Sequence, residues 1–253
     1  MQNIILRFIP SKMDFINKYK LITRAWRYRL FIEKREINFL LNNLKRNQVS
    51  VDIGAHKGGY TYWMSKLVGG NGKVFSFEPQ PQLYNKLKST IIYSGYKNIV
   101  LSDLGFSRNI GTRQLIIPNG GTSPSASVVK EKKENDVSIA IKTTTLDDFF
   151  INKTKTQVDF IKCDVEGHEL EVFKGGENFF ENSRPTVLVE SEARHCGEEK
   201  VLELFQFMES MDYRGYFHNG DRLVDIDRFN IFESQLNPKR LKYINNFFFI
   251  SKF

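Results

Sequence analysis

Cysteine is scarce in this chain. Cys163 and Cys196 stand alone, too few for a disulfide framework or a four-thiolate zinc site, and their scarcity fits a reducing compartment. Long apolar runs are missing too. Arg7, Lys12, Asp14, Lys18 and Lys20 break the N-terminal hydrophobic stretches well short of the roughly 18 to 20 residues that span a bilayer. The same stretch lacks the apolar core of roughly 7 to 15 residues and the small-residue cleavage site of a secretory signal. Cytoplasmic residence is expected, peripheral at the inner membrane surface if a membrane is touched at all. With 7 prolines there is no Pro-rich linker, and no internal repeat or low-complexity tract interrupts the sequence. What remains is a globular composition, 41% hydrophobic and 26% charged with 22 Phe among 253 residues. A chain of this length buries roughly 70 to 75% of its extended surface, and such a composition excludes a disordered tail or a collagen-like rod.

The net charge of +8 is unevenly placed: residues 1–46 carry eleven Lys and Arg against Asp14, Glu33 and Glu36, and the rest of the chain is balanced. A diffuse basic surface for nucleic acid is therefore unsupported. Residues 1–47 read as a basic N-terminal helical arm, in which Ile16, Leu21, Ile22, Trp26, Leu30, Ile37 and Leu41 form faces packed on the domain while Lys and Arg stay solvated. Contact of residues 1–46 with an anionic membrane surface or polymer is the second reading, because the pattern is similar to an interfacial helix.

From Val49 onward short apolar runs alternate with helix-like segments. Strands are predicted at 49–53, 73–77, 98–101, 158–163 and 186–189, and helices at 60–67, 81–93, 169–173 with Gly175 as cap, and 200–211. Such βαβ alternation predicts a doubly wound α/β sheet covered on both faces. Two segments interrupt it. Residues 113–142 read as an inserted hairpin, with strands at 114–117 and 138–142, near the edge of the ligand crevice. The C-terminal runs 213–218, 222–225 and 247–250, with a turn at Asn219-Gly220-Asp221, read as antiparallel strands closing the sheet. The simplest division is the arm, 1–47, and one catalytic domain, 48–253.

Three stretches carry chemistry. Val51-Asp52-Ile53-Gly54-Ala55-His56-Lys57-Gly58-Gly59 is a strand entering a Gly-rich turn that opens a helix. Its glycines permit close ligand approach at the C-terminal edge of the sheet. The spacing is neither the dinucleotide G-x-G-x-x-G nor the phosphate loop. Asp52 places an anion there, poor for a pyrophosphate and good for the ammonium of an amino-acid ligand. The second stretch, Val74 to Pro79, ends its strand on Glu78, where such sheets accept the hydroxyls of an adenosine ribose. In the third, Val158 to Glu171, a strand delivers Asp164 and Glu166 to the same edge. Asp164 is read as a cofactor or acceptor contact with helix capping as its alternative, and Glu169 and Glu171 as first-turn charges.

These stretches, in this order, resemble the FkbM-type family of S-adenosylmethionine-dependent methyltransferases. The resemblance spans residues 48–250 and includes Thr145-Leu146-Asp147-Asp148-Phe149, Lys174-Gly175-Gly176, the strand Pro185 to Glu190, and Asn245-Asn246-Phe247-Phe248-Phe249. It implies a Rossmann-like class I sheet, mostly parallel with an antiparallel C-terminal strand, and transfer of the sulfonium methyl to a hydroxyl oxygen. Carried over by position, Asp52, Gly54, Ala55 and Gly58 line the methionine and ribose of S-adenosylmethionine, and Glu78 with Pro79 the ribose. The segment from Ser102-Asp103 to Ser107 meets the adenine. The family often has Ser-Asp where this chain has Ser107-Arg108, which leaves Asp103 as that segment's acid.

The cofactor carries the activated methyl; the protein must align acceptor oxygen, methyl and sulfur and remove the hydroxyl proton. Candidate bases are His195, Glu190, Glu192, Asp164 and His168, led by Asp164, Glu190 and His195. No motif calls for a metal. The expected acceptor is a hydroxyl-bearing sugar, glycan, glycolipid or related metabolite. No motif for extruding an amine from nucleic acid is present. Two other classes stay open: a non-catalytic nucleoside-binding module, and a nicotinamide-dependent oxidoreductase, which the missing second glycine of G-x-G disfavours.

Overall fold

In the computed structural model, residues 12–129 and 131–253 are described, and the part of the basic arm before Lys12 lies outside them. The arm folds as α1 (Lys12–Arg27), a wider turn of π-helical spacing (Tyr28–Ile32) and α2 (Lys34–Asn43). β1 (Val49–Ile53) runs through the Gly-rich turn into α3 (Gly59–Val68), followed by β2 (Lys73–Phe77) and α4 (Pro81–Ser94). Proline at the first turn of α4 needs no N–H there, and Gly95 caps its end in the left-handed conformation. β3 (Ile99–Ser102) completes this half.

The insertion forms its own small sheet of β4 (Gly105–Phe106), β5 (Gly111–Ile117) and β6 (Val137–Thr144), in the order β4-β6-β5. The predicted hairpin is there, and its antiparallel register extends three residues further back on β5 and one residue before and one beyond the predicted second strand on β6. Next come β7 (Phe160–Cys163), α5 (Glu169–Lys174), α6 (Glu177–Ser183), β8 (Thr186–Glu190), α7 (Ala193–Cys196), α8 (Glu198–Ser210), β9 (Tyr213–Asn219), β10 (Arg222–Asp225) and β11 (Asn246–Ser251). The predicted strand from residue 158 begins at Phe160. The Asp159 carboxylate accepts the Val49 amide at 2.8 Å while the Asp159 amide donates to the Val49 carbonyl at 2.9 Å, tying the entry to β1 by side chain and backbone together.

The main sheet runs β10-β9-β11-β8-β7-β1-β2-β3. The β3-β2-β1-β7-β8 half is parallel, and β11 lies antiparallel between β8 and β9. This is the expected Rossmann-like sheet with an antiparallel C-terminal strand. Strand order reverses between β1 and β7, and such a switch point opens a crevice at the carboxyl ends of the strands.

Period-two alternation sends Val51, Phe77, Ile161, Val187 and Phe247 to one face, where they pack with Phe173, Phe179 and Phe180 of α5 and α6. The other face presents Val74, Phe160, Leu188 and Phe248 to α2 and α3. The Phe39 ring of α2 lies 4.4 Å from Phe248, and Ile37 and Leu40 are fully buried, each burial stabilising by roughly 1.5–3 kcal/mol. Helix α2 thus forms part of the layer covering the sheet. Trp63 of α3 donates its indole N–H to the Ala25 carbonyl at 2.8 Å, which fixes α1 alongside.

Candidate active site

The cleft at the switch point encloses about 240 Å³. Its floor begins with the turn after β1, where the amides of Gly54 and Ala55 both donate to the Phe77 carbonyl, at 3.1 and 2.9 Å. Gly54 sits at φ +76°, and a Cβ there would lie 1.9 Å from the Asp164 carbonyl oxygen. Only glycine lets the β1 and β7 ends close so tightly. Gly58 serves packing: it caps α3 at φ +80°, and a Cβ would meet Leu87 at 2.7 Å and Leu21 of the arm at 3.1 Å. Gly54 and Ala55 line the cleft and Gly58 does not.

Glu78, at the end of β2, is buried beside Pro79 on the cleft wall. Its two carboxylate oxygens accept the backbone amides of His56 (2.7 Å) and Gln80 (2.9 Å). Burial pushes this carboxyl up to about 7, against the two amides, which favour the charged form. The Gln80 side chain reaches the insertion: its amide donates to the Ser123 carbonyl at 2.9 Å and its carbonyl accepts the Ser123 amide at 3.2 Å. From there Pro124, Ala126 and Val128 strap the cleft, and Ser127 anchors the far end by donating to the Glu166 carbonyl at 2.7 Å. Beneath the strap Phe77, Leu104, Phe106 and Ile141 make an apolar slot. Asp103 is exposed and outside this slot; its neighbours Leu104, Gly105 and Phe106 line it instead.

Asp52 is completely buried one layer below the cleft. It accepts the Thr61 hydroxyl at 2.6 Å, and its other oxygen has no hydrogen bond. Lys162 stands between Asp52 and the cleft: its ammonium lies 3.2 Å from Asp164, 3.8 Å from Asp52 and 3.1 Å from the Gly54 carbonyl, and 5.3 Å over the Tyr60 ring. Burial would push this lysine down, but Asp164 and Asp52 reverse the effect and hold it protonated above its ordinary value. Sequence reasoning passed over Lys162. Its signal was a lone cation in the strand Phe160-Ile161-Lys162-Cys163, a place where buried parallel strands are apolar.

The remaining candidates separate clearly. Glu190, at the end of β8, lines the cleft and receives the Asn245 amide at 2.7 Å. Burial, Asp164 and Glu192 push its carboxyl well above the ordinary range. Burial would also raise Glu192, but hydrogen bonds from Glu190, Tyr243, Asn245 and Arg194 hold it down to about 2. His195 does not line the cleft. Its Nε2 lies 3.0 Å from Glu166, which does. His168 is buried against the Ser107 hydroxyl at 2.9 Å and pushed down to about 4 by burial. Glu169 accepts the amides of Val165 (2.9 Å) and Gly167 (3.1 Å), closing the turn after β7.

Two cleft residues come from the arm. Tyr28 and Glu33 line the mouth, and the Tyr60 hydroxyl donates to Glu33. No motif marks them, because their place depends on α1 and α2 folding back over α3.

A family model, described as the methyltransferase FkbM domain, matches residues 52–215. The chain belongs to the FkbM methyltransferase family. Hexuronic acid methyltransferase AglP of Haloferax volcanii is 29% identical over 163 residues, 62% of each chain. A protein-L-isoaspartate O-methyltransferase of Methanococcus maripaludis is 26% identical over 102 residues, 39% of this chain and 48% of that protein. The chain thus spans about half to three-fifths of the length of these relatives. Among solved structures, the FkbM methyltransferase of Methylobacillus flagellatus superposes with a TM-score of 0.52 at 16% identity, over 92% of this chain and 54% of that one. Precorrin-6y C5,15-methyltransferase of Geobacter metallireducens gives 0.50 at 11% identity, over 87% and 88%. These structural likenesses show a shared fold.

S-adenosylmethionine is the cofactor implied by the FkbM methyltransferase family, and the residues present fit it. The cradle at Gly54 that a Cβ would fill, the Glu78 carboxylate and the apolar slot under the strap match an amino acid, a ribose and an adenine in that order. Lys162 and Asp164 would offer opposite charges to the carboxylate and ammonium of the amino-acid end. Asp52 would act on that end only through Lys162.

Proposed function

We propose that this chain transfers the methyl group of S-adenosylmethionine to a hydroxyl oxygen of a sugar or glycan. The observation that carries the reading is the cleft itself, which suits an adenosyl amino acid at its closed end and opens at a mouth lined by ionisable groups, Glu33, Asp164 and Glu190. The relative named for a hexuronic acid favours a saccharide acceptor. The cofactor supplies an electrophilic methyl on sulfur. The chain's own residues orient the acceptor, exclude water under the strap and take up the hydroxyl proton. Incubating the protein with S-adenosylmethionine and sugars with or without a carboxylate, followed by mass spectrometry, should show a gain of one methyl on oxygen. Cofactor binding without methylation of any hydroxyl would favour the nucleoside-binding module, and thermal stabilisation by NAD alone the oxidoreductase.

The arm supports contact with an anionic membrane surface. Phe15, Tyr19, Leu30, Phe31 and Ile32 are exposed large hydrophobic side chains among Lys18, Lys20, Arg27, Arg29 and Lys34. This combination suits insertion at a headgroup boundary. Among the described residues no helix is long and apolar enough to cross a membrane. The protein should co-sediment with vesicles containing phosphatidylglycerol and not with pure phosphatidylcholine, and Leu30→Ser with Phe31→Ser should release it. Equal recovery with both vesicle types would sink the lipid reading.

A further inference from the structure

A second cavity, a groove of about 520 Å³, lies between residues 31–36 of the arm and residues 242–246 at the start of β11. The groove and the cofactor cleft share two lining residues, Glu33 and Glu190. A ligand lying in the groove therefore presents one end to the mouth of the cleft. The groove's chemistry is polar. Asn245, Asn246 and Tyr243 line it, the Asn245 amide and the Tyr243 hydroxyl donating to Glu190 and Glu192, and Arg35 and Lys242 stand as cations on one wall beside His218, which burial and these two cations push down. Lys242 is held there by donating to the His218 carbonyl at 2.7 Å. Asp221 pairs with Arg35 at 3.2 Å on the exposed rim, and Glu36 of α2 faces both Arg35 and Lys242. Burial and Arg35 push Lys242 below its ordinary value in spite of Glu36 and Asp221, so a further anion beside the two cations is favourable. The Tyr243 and Asn246 oxygens can accept from the hydroxyls of a sugar.

Building on the methyltransferase reading above, we propose that this groove binds a carboxylate-bearing saccharide and that Glu33 accepts the proton of the hydroxyl being methylated. The sugar carboxylate lies toward Arg35 and Lys242, and the reacting hydroxyl enters the cleft between Glu33 and Glu190. In the transfer the hydroxyl O–H bond breaks and its proton goes to Glu33. The oxygen's electron pair forms the new bond to the methyl carbon, and the sulfur keeps the pair of the bond it gives up. The Tyr60 hydroxyl, donating to one Glu33 oxygen, fixes the carboxylate's direction, and Glu33 later returns its proton to water. Glu190 stands across the same opening, where its side chain can hydrogen-bond the acceptor.

The groups facing Glu33 are Tyr28 before it, Glu36 of α2, Tyr60 of α3, Lys162 of β7, Asp164 and Glu190. Burial pushes the Glu33 carboxyl up to about 7, against the Tyr60 hydrogen bond and Lys162. Activity should rise with pH through that value as the base ionises. Methyl glucuronide and methyl glucoside are the probes, followed by saturation-transfer NMR on the full chain and by initial rates. Wild type should bind and methylate the glucuronide in preference. Glu33→Gln should keep glucuronide binding and KM within about threefold while kcat falls roughly 100-fold or more and the limb near pH 7 disappears. Arg35→Ala with Lys242→Ala should raise KM at least tenfold and erase the NMR signal, with cooperative melting confirming that the fold persists. Glu33→Gln that runs at the wild-type rate and pH profile, or glucuronide binding untouched by the arginine and lysine changes, would overturn this site while leaving the methyltransferase reading intact. A wild-type chain that neither binds nor methylates either sugar overturns both.

Discussion

Replacing Lys162 by Met should lower the thermal midpoint by roughly 6 to 20 °C, since removing one partner of a buried ion pair costs about 3–5 kcal/mol and each kcal/mol is worth about 2–4 °C at this chain length. The size follows from what the lysine leaves behind. Asp52 is completely buried, its only hydrogen bond is to Thr61, and its second oxygen faces the Lys162 ammonium at 3.8 Å. Without that cation the core holds an uncompensated carboxylate shut away from solvent. Burial already lifts Asp52 above its ordinary value against Lys162 and Thr61, and the substitution lifts it further, so protonation limits the loss at low pH. A raised carboxyl contributes stability below its unfolded value that disappears as pH climbs through the folded value. The Lys162→Met deficit should therefore grow with rising pH. Adding Asp52→Asn to Lys162→Met should recover most of the midpoint, because the charge and its partner then leave together. Calorimetry of the two single variants and the double closes the cycle. A Lys162→Met melt within about 2 °C of wild type would mean that the pair is not what holds this edge of the sheet.

The same residue marks where the sequence was readable. Strands and helices from Val49 to Ser94 follow from period and punctuation, and β2 falls on its predicted bounds because a turn lies at each end. Glu78 was legible as a strand-end acid because β2 fixes its direction toward the crevice. Asp52 was legible as a strand-end acid too, but its side chain belongs to the face that α2 and α3 cover, so it reaches the cleft only through Lys162. Which face a strand-end side chain takes depends on register against β7, and register is a long-range property. The arm was read as helices packed on the domain, with no hint that Tyr28 and Glu33 reach the mouth. Their position follows from the fold-back of α1 and α2 across α3, pinned by the Trp63 bond to Ala25, and no local pattern encodes that path. The acidic, amide-rich cluster of Glu190, Glu192 and Asn245 is similar: two segments 55 residues apart meet because β11 pairs with β8.

Glu78 governs the other large effect. Changing it to Gln should weaken S-adenosylhomocysteine binding by roughly 30- to 1,000-fold, from a loss of about 2–4 kcal/mol. The carboxylate already accepts the His56 and Gln80 amides, at 2.7 and 2.9 Å, one on each oxygen. Its remaining lone pairs face the cleft, where two ribose hydroxyls can donate to a charged acceptor. An amide in its place turns one oxygen into an N–H that opposes a backbone N–H, so the turn after β1 loses a bond as well. Protonation has a related consequence. Burial pushes Glu78 up to about 7, and a ligand that donates to the carboxylate favours the ionised form. Affinity should therefore rise with pH through about 7 and flatten above it, while the free protein's share of stability from this group runs the opposite way, present below the ordinary carboxyl range and lost by about 7. His56 and His168, pushed down to about 4, do not titrate across that interval. Glu33 and Glu169 also lie at about 7, and they are separated from Glu78 by the variant itself. Calorimetric titration at pH 6, 7 and 8 should show a slope in wild type that Glu78→Gln abolishes along with most of the affinity. A flat wild-type profile, or a Gln variant that keeps the affinity within about threefold, would move the ribose contact away from β2.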